Sequence, residues 1–101
     1  MKRPAYIYIA RNMTVQRRVK VGVSWRPFER LVYIACRAKA NCRIVYLCRV
    51  SSMKVAQKIE REVKDKLAHK ALGGEWFRIG AGAIMGIVRE NLSNPSACEI
   101  H

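Results

Sequence analysis

Tyr6-Ile7-Tyr8-Ile9 and Val19-Lys20-Val21-Gly22-Val23 are two short runs, rich in β-branched and aromatic residues, that alternate in type at period two. Such alternation predicts strands. The nine residues between them, Ala10 to Arg18, are mostly polar or basic and suit a hairpin loop. Side chains two apart on a strand share a face. Ile7, Ile9, Val19, Val21 and Val23 then form an oily face, whereas Tyr6, Tyr8, Lys20 and Gly22 lie on the other. With the loop centred near Thr14, Tyr8 is expected nearly opposite Lys20. A core accounts for the first face only. Phenols, an ammonium and a bare glycine on the second face suggest a site.

Working outward, Pro27 suits the first turn of a helix, where its missing N–H costs nothing. Leu31, Ile34, Ala35 and Ala38 follow at the spacing of a buried stripe. Arg26, Arg30, Tyr33 and Arg37 recur on a different face of that helix, cationic with an aromatic in the middle and without an acid of its own. Residues 42–50 read as a third strand. Ile44, Tyr46 and Cys48 alternate there with Val45, Leu47 and Arg49, and both faces are apolar enough for a covered, central strand. Ser51 and Ser52 are good N-caps for a helix from about Met53 to Lys70. Its stripe is Ala56, Ile59, Val63 and Leu67, and its outer side offers the pairs Lys58–Glu62 and Arg61–Asp65. Glu60 lies beside the stripe, at the margin of the core. Gly73-Gly74 end that region, residues 75–79 read as a last strand and residues 81–92 as a closing helix. Ser93-Asn94-Pro95-Ser96 stop it, leaving 93–101 as an expected flexible tail. The expected fold is α+β, one domain over 1–92, with a small mixed β-sheet, flanking helices and the order β-β-α-β-α-β-α.

The ordered set Tyr6-Ile7-Tyr8, Val19-Lys20-Val21-Gly22, Arg30 eight residues past Gly22, Ala56-x-x-Ile59-Glu60-x-x-Val63-Lys64-x-x-Leu67 and Gly74-Glu75-Trp76-Phe77 resembles the GIY-YIG nuclease superfamily, in particular its compact phage and bacterial branch. The resemblance runs from Ala5 to about Ile79. It implies a metal-dependent endonuclease with catalytic roles for Tyr8, Lys20, Arg30 and Glu60. Glu60 would be the sole protein ligand of a single Mg²⁺ or Mn²⁺ ion, which keeps several waters and takes substrate phosphate oxygens as well. Arg30 would fork onto the phosphate, and Gly22 would leave room for a phosphate to approach the backbone. Tyr8 would position or deprotonate the attacking water, its phenol acidified by Lys20, Arg30 and the metal. The chain departs from the family pattern at Lys20, where a second-motif tyrosine is usual, and at Lys64, where a histidine often follows the helix glutamate. Glu75 stands where an asparagine is common. It is either a second acid near the metal or a structural partner for an arginine. Trp76 and Phe77 are expected in the core.

Composition agrees with a polyanion partner. Of 101 residues, 20 are Lys or Arg and 7 Asp or Glu, for a net charge of +13. Residues 1–50 hold 12 of the basic residues and one acid, Glu29, so +11 of the charge is concentrated there. This is the footprint of nucleic-acid binding, with duplex DNA as the expected partner and Tyr6, Arg17, Arg18, Arg26, Tyr33 and Arg37 as its expected contacts. The basic residues interleave with strands instead of lining one amphipathic helix, which argues against a membrane surface. No apolar run approaches a membrane span, and no apolar signal core follows Met1, so a cytoplasmic location is expected. Cys36, Cys42, Cys48 and Cys98 contain no C-x-x-C spacing and lie far in sequence from His69 and His101, a poor zinc pattern. Reduced thiols are expected. An inactive DNA-binding module of the same fold, and a small RNA- or protein-binding protein, are the alternative functions. A homodimer is left open.

Overall fold

The structure is a computed structural model that describes residues 3–73, 75–92 and 98–100. The elements run β1 (Ala5–Asn12), β2 (Val19–Ser24), α1 (Pro27–Ala38), β3 (Cys42–Val50), α2 (Met53–Lys66), a 3₁₀ turn (Ala68–Lys70), β4 (Ala71–Gly73), β5 (Trp76–Phe77), α3 (Ala81–Glu90) and β6 (Cys98–Ile100). The six strands form one sheet in the order β4-β5-β2-β1-β3-β6. The α+β class is as expected. The sheet is not mixed: every pairing among the described residues is antiparallel. Two short strands stand between α2 and α3 in place of one, and a further strand follows α3.

Period-two alternation on the hairpin sorts the core into two layers. Ile7, Ile9, Val19 and Val21 pack with Ala56, Ile59, Val63 and Leu67 of the α2 segment and with Ile84, Met85 and Val88 of α3. The other face buries Tyr8, Ala10, Ile44 and Leu47 under Ile34 of α1, flanked by Leu31, Ala35 and Ala38. Both helical stripes therefore dock as their spacing predicts. Pro27 stands in the first turn of α1, and the Ser52 hydroxyl accepts from the Val55 amide at 3.3 Å to cap α2.

The hairpin register differs from expectation. Tyr8 lies opposite Gly22, and Lys20 opposite Ala10. The loop centres on Val15, one residue later than assumed, and one residue of loop centre moves the register by two. The Asn12 side chain sets this turn by accepting from the Thr14 and Val15 amides at 2.8 and 2.9 Å, while the Asn12 amide closes the loop on the Arg18 carbonyl. The third strand also departs from simple alternation. Ile9 faces Tyr46 while Ala10 faces Ile44, so Val45 is an extra, bulged residue. The bulge returns Ile44 and Leu47 to one face.

The tail is ordered where it is described. Cys98–Ile100 adds to β3 as an edge strand, with Cys98 directly opposite Cys48 and the two joined as a disulfide. This replaces the expected reduced pair. Residues 93–97 and 101 lie outside the described residues. Of the charged pairs expected on α2, neither forms. Lys64 instead reaches Glu60, and Lys66 reaches Glu90 of α3. Among the described residues, no helix is long and apolar enough to cross a membrane.

Candidate active site

A concave cleft of about 400 Å³ opens on the α1 face of the sheet, lined by Lys20, Arg30, Tyr33, Arg37, Glu75 and Trp76 over an apolar floor of Ile34 and Ala38. Its parts come from three places in the chain. Lys20 projects from β2 on the same face as Tyr8. Arg30, Tyr33 and Arg37 descend α1 at i, i+3 and i+7, where its docked stripe leaves them at the rim. Glu75 and Trp76 arrive with β5, which pairs with β2 through Phe77 opposite Val19.

Tyr8 is 2% exposed, with Gly22 directly across the strand pair. A β-carbon at position 22 would collide with the Tyr8 hydroxyl and ring. Gly22 is therefore the space in which the Tyr8 ring lies. The role expected of this glycine, room for a phosphate at the backbone, is replaced by room for a phenol. The Arg30 guanidinium donates toward the Tyr8 hydroxyl, yet burial dominates and pushes the phenol above its ordinary value, helped by the carboxylates of Glu60 and Glu75. The sequence-based expectation had the opposite sign. Tyr8 is a neutral hydroxyl here, held between a cation and the core.

Lys20 is 9% exposed. Its ammonium lies 3.2 Å from Glu75 Oε2, while Lys64 Nζ lies 3.2 Å from Glu75 Oε1 and 3.6 Å from Glu60 Oε2. A chain of alternating charge thus runs Lys20–Glu75–Lys64–Glu60, joining the α1 cleft to α2. The two lysines hydrogen-bond Glu75 and hold its carboxyl below the usual carboxylate range. Glu60 is the reverse case: burial raises it, Glu75 adds to the rise, and Lys64 and Lys20 oppose. Glu75 is thus the partner of two lysines, not of an arginine, and it sits at φ 67°, in left-handed backbone.

The other expected DNA contacts divide. Tyr33 and Arg37 are in the cleft. Arg37 Nη1 donates to the Tyr33 hydroxyl at 3.4 Å, and Arg30 lies 5.0 Å above the Tyr33 ring. Arg26, expected to be free of acids, pairs with Glu29 at 3.6 Å at the start of α1. Tyr6 is half-buried against the α1-side core, opposite Ser24. Arg17 and Arg18 belong to a different cleft, on the α3 side. Trp76, expected in the core, packs half-buried against the α1-side core and also lines the cleft, while Phe77 is buried. Sequence reasoning missed Lys64 as the link between Glu60 and Glu75. Its spacing from Glu60 was visible, but the contact with Glu75 depends on how β5 meets α2.

The family model that matches this chain is the T5orf172 domain, over residues 5–92. The chain belongs to the T5orf172 domain family. This is a phage-associated domain of endonuclease type, which associates the chain at a coarse level with nuclease-like or DNA-binding phage proteins. Comparison with curated proteins and with solved structures gives no match. The matched span of the T5orf172 domain takes in the buried residues of both core layers and every residue of the α1 cleft.

A divalent ion can be tested against the donors present. No group of three or more His, Cys, Asp or Glu side chains gathers among the described residues, which excludes an all-protein cage there. Glu60 and Glu75 nevertheless share one ammonium between them, and a place where two carboxylates already hold a cation suits a hard cation in charge and donor type. Mg²⁺ and Mn²⁺ are bound through one or two carboxylates with water and phosphate oxygens completing the shell. The donor set fits such an ion at Glu60, provided Lys64 gives way.

Proposed function

We propose that this domain is a metal-dependent endonuclease of the GIY-YIG type, hydrolysing phosphodiester bonds of DNA in the α1 cleft. The reading is carried by one observation: Lys20, Arg30 and Glu75 line a single basic cleft, Arg30 also reaches the Tyr8 hydroxyl buried beneath it, and Glu60 shares the Lys64 ammonium with Glu75. In the reaction, a water oxygen bonds to phosphorus, one ester P–O bond breaks, and a proton passes to the departing alkoxide. Arg30 has the fork geometry for two phosphate oxygens and stabilises the charge that grows on them. Lys20 adds positive charge from the β2 side of the cleft. Tyr8, neutral at rest, orients the water through its hydroxyl, while Arg30 fixes where that hydroxyl points. Tyr33 and Arg37 hold the flanking backbone, and the half-buried Trp76 offers a face to a base. A Mg²⁺ or Mn²⁺ ion at Glu60 would supply a Lewis acid for the phosphate and raise the acidity of bound water.

The test is nicking of supercoiled plasmid with Mg²⁺ or Mn²⁺, stopped by EDTA. Glu60→Gln and Tyr8→Phe should both suppress cleavage while leaving DNA affinity nearly intact. Undiminished cleavage by Glu60→Gln would refute the role given to that carboxylate. A second reading, a DNA-binding module without hydrolysis, is favoured by the Lys64 ammonium, which occupies Glu60 in the resting fold. Binding of duplex without cleavage under any divalent ion would establish it.

A further inference from the structure

A second cleft of about 400 Å³ lies on the opposite, α3 face of the sheet. Its lining includes Arg11 at the end of β1, Arg17 and Arg18 of the hairpin loop, Tyr46, and Gly80 and Gly82 at the start of α3. All three arginines are exposed, and none has an acidic partner among the described residues. Arg43 is a fourth cation nearby. It is directly opposite Arg11 in the β1–β3 register, and like charges directly opposite on a sheet repel. Four cations are thus concentrated at one corner with no carboxylate paired to them among the described residues, which is the arrangement an anion would relieve. The start of α3 adds to the same field: its N-cap is Gly80, without a side-chain cap, and its first turn has no acid. A β-carbon at Gly80 or Gly82 would meet nothing, so the backbone there is open to approach.

The two clefts are linked by geometry. Lys20 lines the α1 cleft and Val19 the α3 cleft, consecutive residues of β2 pointing to opposite faces. Both clefts lie toward the end of the sheet capped by the hairpin loop, where the Met13 amide also donates to the Asn41 carbonyl beyond α1. A polyanion leaving the α1 cleft past this loop meets Arg17 and Arg18 next.

We propose that the α3-side cleft is a second phosphate-binding site, which takes backbone phosphates of the same nucleic acid after it passes around the hairpin end of the sheet. The inference rests on the nucleic-acid part of the proposed function and makes the cleft a tethering site, remote from the hydrolytic residues. Arg11, Arg17, Arg18 and Arg43 hold phosphates there without reading bases.

The experiment compares wild type with the triple variant Arg11→Ala/Arg17→Ala/Arg18→Ala, its fold checked by circular dichroism. Affinity for a fluorescent duplex is measured by anisotropy in EDTA across a salt series. Each phosphate left without its arginine flattens the slope of log affinity against log salt by about 0.9, so the expected change is about 2 to 3, with affinity weaker by about tenfold or more at low salt. In Mg²⁺ or Mn²⁺ the cleavage rate at saturating DNA should be unchanged. A parallel arm titrates inorganic phosphate. Competition only at high phosphate, with duplex far tighter in wild type than in the variant, supports a backbone site. Phosphate displacing duplex equally from both proteins, or an unaltered salt slope, overturns it. A wild type that binds but never cleaves, with the slope flattened in the variant, sinks the nuclease reading and leaves this cleft standing. Cleavage with an unaltered slope does the reverse.

Discussion

Gly22→Ala isolates the packing on which the candidate site depends. The Tyr8 ring fills the space over Gly22, and an added β-carbon would meet the hydroxyl, Cζ and Cε2, the last at 2.8 Å. These atoms belong to a rigid, buried phenol, so they cannot swing aside as the end of a flexible chain would. Either the ring tilts into Ile34 and Leu47 or the two strands part. Overpacking of this kind costs about 1–3 kcal/mol, and three close atoms, the hydroxyl and two ring carbons, place this site near the top of the range. Glycine's freedom in the unfolded chain offsets about 0.4–1 kcal/mol. The net expectation is a loss of about 2 kcal/mol, or about 8–16 °C in melting temperature for a domain of this size.

Urea denaturation of three pairs tests the cause. In the Tyr8→Leu background the ring is gone, and Gly22→Ala should become nearly neutral, a coupling of about 2 kcal/mol between the sites. In the Tyr8→Phe background only the hydroxyl is gone, the two carbons still block, and most of the cost should remain. Should Gly22→Ala cost the same in all three backgrounds, the contact is not its origin and the close approach inferred for Tyr8 is wrong.

Two further outcomes concern charge and sulfur. Glu75 has a depressed folded value, so its pairing with Lys20 and Lys64 stabilises the fold above the unfolded carboxylate value, about 4.3, and is lost as pH falls through the folded one. Glu75→Gln should therefore be less stable than wild type at pH about 7 and equal to it in strong acid. Glu60 is raised by burial, so its ionised form is held at a cost above the folded value, and Glu60→Gln should be no less stable than wild type at neutral pH. Denaturation curves at both pH values check the pair, and a pH-independent deficit for Glu75→Gln would contradict the ion-pair account. For sulfur, Cys48 and Cys98 are bonded while Cys36 and Cys42 are free, so thiol titration of the unreduced, unfolded chain should find two thiols; four would refute the bond. Closing the 50-residue separation of that pair stabilises by about 4 kcal/mol on the chain-entropy account, and reductant should lower the denaturation midpoint.

The layers of the fold were legible because they rest on local periodicity. Ile7, Ile9, Val19 and Val21 needed only alternation, and Leu31, Ile34, Ala56, Ile59 and Val63 only the helical repeat. What escaped depends on one-residue offsets or on distant partners. The loop centre at Val15 rather than Thr14 is decided by the Asn12 side chain, which no periodicity registers. The bulge at Val45 is hidden because both faces of β3 are apolar. The strand at Cys98–Ile100 is three residues long and owes its place to pairing with β3, so a tail that reads as frayed becomes an edge. At the candidate site, residue identity singled out Tyr8, Lys20, Arg30 and Glu60, of which Lys20 and Arg30 line the cleft. It did not carry the sign of the Tyr8 shift, because nearby cations are visible in sequence and depth of burial is not.

That sign constrains how such a site can work. Tyr8 and Glu60 are each held by the resting fold with their anionic forms disfavoured, mainly by burial. Glu75 is the carboxyl whose ionised form the fold favours, and two lysines already occupy it. A chain with an excess of +13 thus keeps no uncommitted anion around the cleft among the described residues. A polyanion entering the cleft meets Arg30 and Arg37 without repulsion from a free carboxylate, which favours binding before chemistry. The negative phosphate, once bound, also draws on Lys20 and so competes with Glu75 for that ammonium. Weakening of Lys20–Glu75 leaves Glu75 to draw more on Lys64, which tightens that link and loosens Lys64–Glu60, because Lys64 is shared by the two carboxylates. A phosphate arriving at Lys20 would then favour release of Lys64 from Glu60, the step that the proposed metal site would need. Under the proposed function the substrate would thereby prepare the Glu60 carboxylate for its cation, with Lys20 as the residue through which it does so.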